Sequence, residues 1–181
     1  FSDRIKKACA LMQQNGLDAV YLNAGTNLYY FTGTQWGASE RMVGAILGAD
    51  GQLEYIAPAF EIATIKDFQL IEGPVNGWHE HESPYELFGQ VLAKMGLTDG
   101  TIGLDESCSF FISNGLNLAN SHYSFVDAKP VTAGCRMCKS ANELALMQRA
   151  MDMTLEVHKS VARILRDGIS TQEVSQFINT A

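Results

Sequence analysis

Between Ser2 and Gln14 the apolar residues Ile5, Ala8, Cys9, Leu11 and Met12 recur three and four apart, and Asn15-Gly16 follows. That spacing predicts an amphipathic helix closed by a glycine cap. Asp18 to Leu22 is a short apolar run of strand length. Met42–Leu47 and Leu53–Ile56 flank Gly48-Ala49-Asp50-Gly51-Gln52, and Asp-Gly between apolar runs predicts a hairpin. Pro58 ends its second strand, and Glu61 to Phe68 reads as a short helix. Gln69-Leu70-Ile71-Glu72 reads as a further strand. Ser83-Pro84-Tyr85-Glu86 combines an N-cap serine, a proline in the first turn and a glutamate three residues on, so a helix runs from there to Met95 and stops at Gly96. Thr101–Leu104 is a buried strand, Ser109–Ala119 a helix and Ser124–Val126 a last strand. Strands and helices alternate, which predicts an α/β layer fold with a mixed sheet.

The pattern changes near residue 130. Beyond Ser140, Leu144, Met147, Met151, Leu155, His158, Ala162 and Leu165 recur at steps of three and four, a long amphipathic helix ended by Asp167-Gly168. Thr171, Gln172 and Glu173 open another helix. Charge shifts with the pattern: Phe1 to Gly134 carries 7 Lys and Arg against 15 Asp and Glu, whereas Cys135 to Ala181 carries 6 against 5. The chain is therefore divided into a first domain, residues 1–133, and a segment 134–181 of linker and two helices. It starts at Phe1 and stops at Ala181 within a helical pattern, so a piece of a longer protein is expected.

Composition narrows the class. At 46% hydrophobic and 18% charged, the 181 residues are those of a folded domain rather than a disordered tail or a coiled-coil rod. No apolar run reaches the roughly 18 residues of a membrane-spanning helix, and no membrane role is expected. A net charge of −7 argues against a nucleic-acid surface. Four cysteines do not make a secreted disulfide framework, so a cytoplasmic location is expected.

The chemistry-bearing residues are scattered. Cys135-Arg136-Met137-Cys138 is a single C-x-x-C without the second ligand pair that structural zinc requires, and reads as two thiols in a linker. His79-Glu80-His81-Glu82 lacks the H-E-x-x-H spacing. In an extended segment His79 and His81 would face one way as a two-ligand clip, against the reading of solvated charges before a helix. His122 is a third imidazole, and His158 falls on the apolar face of the long helix, as a core or interface histidine does. Neither Ser107 nor Ser113 has a nucleophile's context, and there is no phosphate loop, G-x-G-x-x-G or G-x-S-x-G. The segment Thr26 to Arg41, read as a loop, is denser: Asn27-Leu28-Tyr29-Tyr30-Phe31-Thr32-Gly33, then Trp36, Glu40 and Arg41. Tyr29 and Phe31 are assigned to the core. For Trp36 and Arg41, packing and recognition both stay open.

Taken in order, Arg4-Ile5 with Leu11-Met12, Gly16-Leu17-Asp18-Ala19-Val20, Asn27 to Gly33, Glu40-Arg41, Asp50-Gly51 and Arg136-Met137-x-Lys139-Ser140-x-x-Glu143-Leu144-x-x-Met147-x-x-Ala150 form a set. It resembles the amino-terminal domain of the creatinase, prolidase and Xaa-Pro aminopeptidase family, running into its pita-bread metallopeptidase domain. The resemblance covers essentially the whole chain. It implies a mixed sheet with helices on both faces, followed by the first helices of a truncated catalytic domain. In the peptidase members that later domain holds two divalent metals (Mn, Co or Zn) through Asp, Asp, His, Glu and Glu, to activate water against an X-Pro bond. Here those ligands are expected beyond Ala181, so Asp152, Glu156, His158 and Asp167 are not promoted to ligands. No metal or catalytic residue is expected in this stretch, and the fragment alone is expected to be inactive.

The resemblance also implies a role for the first domain: forming a homodimer and limiting access to the partner's active site for X-Pro peptides. By position, the loop after Thr32-Gly33 is the one concerned, with Trp36, Glu40 and Arg41 as substrate-access candidates. A guanidinium fork suits a substrate carboxylate, Glu40 is a candidate partner for Arg41, and an aromatic face suits a proline ring. Two alternatives stand beside the Xaa-Pro dipeptidase or aminopeptidase P reading. One is a non-catalytic protein-binding module on the same fold, as in a histone chaperone subunit; the other is a creatinase-like small-molecule hydrolase.

Overall fold

A computed structural model of the chain describes residues 1–181. The chain forms two units, Phe1–Met137 and Cys138–Ala181. In the first, α1 (Ser2–Asn15) leads to β1 (Ala19–Asn23), α2 (Thr26–Thr32), β2 (Gly44–Gly48) and β3 (Leu53–Pro58). After a single 3-10 turn come α3 (Ile62–Phe68), β4 (Val75–Trp78), α4 (Pro84–Lys94), β5 (Gly100–Leu104), α5 (Phe110–Ala119), β6 (Tyr123–Asp127) and α6 (Lys129–Arg136). The second unit holds α7 (Ala141–Ile164) and α8 (Thr171–Thr180).

The six strands make one mixed sheet in the order β4-β3-β2-β1-β5-β6. β2 is antiparallel to both β1 and β3, while β5 runs parallel to β1 and β6, and β4 parallel to β3. Because successive strand side chains alternate faces, β1 is buried on both. Val20 and Leu22 join Ala8 and Met12 of α1, Leu28 and Phe31 of α2, Ile65 of α3 and Val131 of α6. Ala19 and Tyr21 join Phe88, Val91 and Leu92 of α4 and Ile112 and Leu116 of α5 on the other face. Helices therefore cover both faces, as the resemblance implied, and the strands nearest the centre need not alternate apolar with polar.

Several elements follow local rules. Gly16 caps α1 at φ 66. In the β2–β3 turn, Asp50 accepts from the Gln52 amide at 2.9 Å and Gly51 takes φ 91. Ser83 caps α4 with a proline in the first turn. Ser140 with Glu143, and Ser170 with Glu173, form reciprocal capping boxes at α7 and α8.

Four expectations are corrected. Gln69–Glu72 is no strand: Leu70 is 64% exposed, and the Ile71 amide donates to Thr32 O at 3.2 Å in a bend. The edge strand starts after Pro74, where Val75 pairs with Tyr55, and its short sequence Val-Asn-Gly-Trp carries too weak an apolar signal to compete with Leu70-Ile71. Residues 26–32 are helix α2, not loop, because Leu28 and Phe31 both reach the core despite the strand propensity of Tyr, Phe and Thr. That helix also explains Tyr29, which is 51% exposed: two residues along a helix turn about 200°, so Tyr29 and Phe31 cannot share one face. Finally, Cys135 is no linker thiol but a buried residue of α6.

Candidate functional site

α2 ends where the loop that carries Trp36, Glu40 and Arg41 begins. Gly33 caps it at φ 75, donating to Tyr29 O, and a side chain there would meet Leu70 Cδ1 at 2.7 Å. Glycine is required by conformation and by space together. The loop's entry is tied down by a relay of hydroxyls: the Thr34 amide donates to Thr32 Oγ1 at 3.1 Å, Thr34 Oγ1 to Tyr55 Oη at 3.4 Å, and Tyr55 Oη to Ile71 O at 2.7 Å.

Past this anchor, the structure sends the candidates to different neighbours. Trp36 is half-buried on the α1/α2 face of the core and meets the Phe68 ring edge-on at 6.3 Å between centroids. Arg41 pairs with Glu40, donates from Nε to Glu80 Oε1 at 2.9 Å, and lies over the Phe60 ring at 5.6 Å. The Glu80 hydrogen bond, and then the charges of Glu80, Glu40 and Glu61, hold the guanidinium above the ordinary arginine pKa. Three carboxylates thus surround one cation. A substrate carboxylate would have to displace Glu80 or Glu40 to take both tines of the fork. Glu80, Phe60 and Phe68 lie in other elements, 19 or more residues from Arg41, so nothing in the loop's own sequence points to them. Phe60, Phe68 and Leu70 are all exposed and give the loop an apolar rim.

His79 and His81 stack nearly parallel, 5.7 Å between centroids, in a turn where the His79 amide donates to Glu82 Oε2 at 2.8 Å. Both are exposed, and no three His, Cys, Asp or Glu side chains anywhere in the chain converge into a group able to hold a metal. The cysteines are all free thiols. Burial, then Asp105, pushes Cys108 up to about 12, which makes it a poor nucleophile at neutral pH. His158 is exposed on α7, not buried in a core of this unit.

A second polar assembly sits at the carboxyl ends of β1 and β5. Chain direction diverges there: β1 leads into α2 on one face, β5 into α5 on the other, a topological switch point of the kind where α/β sheets open a crevice. Here the crevice is filled by the chain itself. The Asn23 amide donates to Asp105 Oδ2 at 3.2 Å and the Ser107 amide to Oδ1 at 2.6 Å. Buried Asn27 lies close to both Asp105 and Glu106, its side chain favouring the charged form of each, and accepts from Arg136 Nη1 at 2.7 Å. Thr132 Oγ1 donates to Glu106 Oε2 at 2.6 Å, and Arg136 lies 3.6 Å from Glu106 Oε1. Burial raises the Asp105 carboxyl above its ordinary value, with hydrogen bonds from Ser107 and Asn27 opposing. For Glu106 burial is again the largest influence, but the Thr132 hydrogen bond, other hydrogen bonds and Arg136 outweigh it, and its pKa is lowered.

Residues 4–138 match the family model described as the creatinase/prolidase N-terminal domain. The chain belongs to that family. Its relatives fit the assignment: an uncharacterized peptidase of Schizosaccharomyces pombe is 27% identical, over 99% of this chain and 41% of its own length. The crystal structure of prolidase from Thermococcus sibiricus superposes with TM-score 0.85 at 24% identity, over 99% of this chain and 48% of that one. The N-terminal domain of an Xaa-Pro dipeptidase from Lactobacillus brevis superposes with TM-score 0.64 at 20% identity, over 74% of this chain and 98% of that one. The mixed sheet covered on both faces is therefore the creatinase/prolidase N-terminal fold. The chain spans less than half the length of the curated relatives it matches. No helix is long and apolar enough to cross a membrane.

Proposed function

We propose that this chain is the amino-terminal portion of a metal-dependent peptidase of the Xaa-Pro dipeptidase or aminopeptidase P type, with a role in dimerisation and substrate access. The observation that carries the reading is the creatinase/prolidase N-terminal match over residues 4–138, in a chain that covers less than half of its peptidase relatives. The rest of the protein then supplies the catalytic centre. The two divalent metals implied by the resemblance do not fit residues 1–181, which bring no three ligand side chains together; no catalytic step is assigned to this chain. Its own contribution is the loop after Gly33. The Thr32–Thr34–Tyr55 relay fixes the loop's root, Trp36 packs onto Phe68, and Arg41 is oriented by Glu80 and Glu40. A loop so braced acts as a rigid wall that limits how long a peptide can enter, and Arg41 orients rather than binds with its whole fork. We place the protein in the cytoplasm as a homodimer.

The test is hydrolysis of X-Pro dipeptides and tripeptides by the full-length parent loaded in turn with manganese, cobalt and zinc. Cleavage next to proline supports the reading. A parent that cleaves none of them is instead a binding module or a hydrolase of another substrate.

A further inference from the structure

The C-x-x-C of the sequence falls where the chain passes from one unit to the other. Cys135 lies in the last turn of α6 and is 1% exposed, whereas Cys138 is exposed and opens the second unit. The helical path runs on past α6: Met137 keeps φ −59 and ψ −47, and its amide donates to Ala133 O at 2.7 Å. Cys138 therefore stands one turn on from Cys135. Residues three apart on a helix have Cβ atoms about 5–6 Å apart, and a disulfide needs about 3.5–4.5 Å. Cys138 lies beyond the helix, in a bend, so its own backbone torsions can close that gap while Cys135 stays in place.

Cys135 is the fixed half of the pair. Its carbonyl oxygen accepts from Tyr30 Oη and from Lys7 Nζ, each at 3.1 Å, and its side chain belongs to the core that holds Ala8 and Val131. Burial raises the Cys135 thiol above its ordinary value, with Lys7 opposing and Cys9 adding to it. The other two thiols are worse placed. Cys9 is half-buried on α1, 3.8 Å from Gly48 O, and Cys108 is half-buried and pushed up to about 12 by burial and then by Asp105. Cys138 is the one exposed thiol of the four, and oxidation follows exposure.

We propose that Cys135 and Cys138 form a reversible dithiol, closed to a disulfide by a hydroperoxide and reopened by a small-molecule thiol. The Cys138 thiolate attacks the terminal peroxide oxygen, the O–O bond breaks, and Cys138 becomes a sulfenic acid. The departing alkoxide takes up the proton that Cys138 released and leaves as an alcohol. Cys135 Sγ then attacks the Cys138 sulfur: the S–S bond forms, the S–O bond breaks, and hydroxide leaves as water with the Cys135 proton. Two thiols have lost two electrons, and the hydroperoxide has taken them. Exchange with two reductant thiols returns the pair to the reduced form and leaves the reductant as its own disulfide. In a reducing compartment such transient disulfides are the usual kind. Arg136 lies inside the ring that closes, so oxidation bears on the turn that holds Asn27 and Glu106.

The test uses the 181-residue chain, reduced, freed of reductant and treated with a few equivalents of tert-butyl hydroperoxide. Free thiols counted after denaturation should fall from four to two. Digestion with trypsin and a protease that cuts before aspartate should give segment 127–136 joined to 137–139, parted again by dithiothreitol. Cys138→Ser should abolish the joined peptide, and Cys9→Ser should leave it. In Cys135→Ser the reaction should halt at the sulfenic acid, trapped on Cys138 by dimedone. Four surviving thiols, a peptide joined through Cys9 or Cys108, or one lost in Cys9→Ser overturns the proposal. Circular dichroism checks that the variants are folded. Should Cys135→Ser, at a buried position, unfold, the other digests decide: a joined peptide present in wild type and absent from Cys138→Ser supports the pair, and its absence from wild type overturns it. None of these readouts involves peptide hydrolysis, so this proposal and the proposed function fail separately.

Discussion

Arg136 and Asn27 are separated by 109 residues in sequence, yet the arginine donates to the Asn27 carbonyl oxygen at 2.7 Å. The bond joins the last turn of α6 to the first turn of α2, the helix that leads into the loop after Gly33. Around it Asp105, Glu106 and Thr132 complete a polar plug at the ends of the central parallel strands. An open crevice there would be a ligand site in many α/β folds; in this domain it is a cross-brace.

Breaking the brace has a directional cost. Asn27→Ala takes the acceptor from Arg136 beside the buried Asp105, and the expected loss is about 1.5–3 kcal/mol, the worth of a hydrogen bond to a charged group. Arg136→Ala removes a half-exposed partner and should cost about 1–2 kcal/mol. Because the two touch, the double variant should fall short of the sum by about 1 kcal/mol. Urea unfolding of the four proteins checks this, and strict additivity would show that the bond carries no energy of its own.

The same assembly predicts a pH dependence. Glu106 is lowered from its ordinary 4.5 in the folded state, so its contribution is present above that value and is lost as pH falls through the folded pKa. Asp105 is raised from 3.8, so its contribution runs the other way: present below that value and lost as pH rises through its folded pKa. Glu106→Gln should therefore lower stability at neutral pH by under about 1 kcal/mol and narrow its gap to wild type as pH falls below the Glu106 range. Denaturation midpoints from acid to neutral pH test this; a gap that stays constant would mean that Glu106 is not held ionised by the fold.

What the sequence made legible was local. Ser83 accepts from the Glu86 amide three residues on, and Asp50-Gly51 makes its turn from adjacent residues, so both could be read directly. The brace could not, because nothing in the chain near Asn27 indicates that Asp105 and Arg136 will arrive beside it. Arg41 shows the same limit within the candidate site. Its neighbour Glu40 is adjacent in sequence, whereas Glu80 reaches it only because β4 and the following turn come alongside the loop. The strand misplaced at Gln69–Glu72 failed for another reason: at a sheet edge, pairing to Tyr55 and Ile56 outweighs the hydrophobicity of the strand itself.

Gly33 offers a sharp steric test. Alanine there must adopt φ 75 and place its Cβ 2.7 Å from Leu70 Cδ1. Gly33→Ala should cost more than about 1 kcal/mol. Adding Leu70→Ala relieves only part of the clash, because Leu70 Cβ, retained in alanine, lies 2.9 Å from the built position, and it leaves the dihedral cost. Thermal melting of both variants measures the two parts; full recovery in the double variant would mean that the backbone conformation is not costly.

Arg41 and Glu80 offer a test of the loop's role in the proposed full-length peptidase. If Arg41 orients the loop through Glu80, removing either partner frees the same segment. Arg41→Ala in the full-length protein should then lower kcat/KM for an X-Pro dipeptide about tenfold, about 1.4 kcal/mol of transition-state stabilisation. Glu80→Gln keeps a hydrogen-bond acceptor but loses the charge, and should give a smaller loss in the same direction. If Arg41 instead clasped the substrate carboxylate, releasing it from Glu80 would strengthen that contact, and Glu80→Gln would lower KM. Opposite signs for one substitution separate the two roles, and unchanged kinetics in both variants would reduce the loop to a structural element.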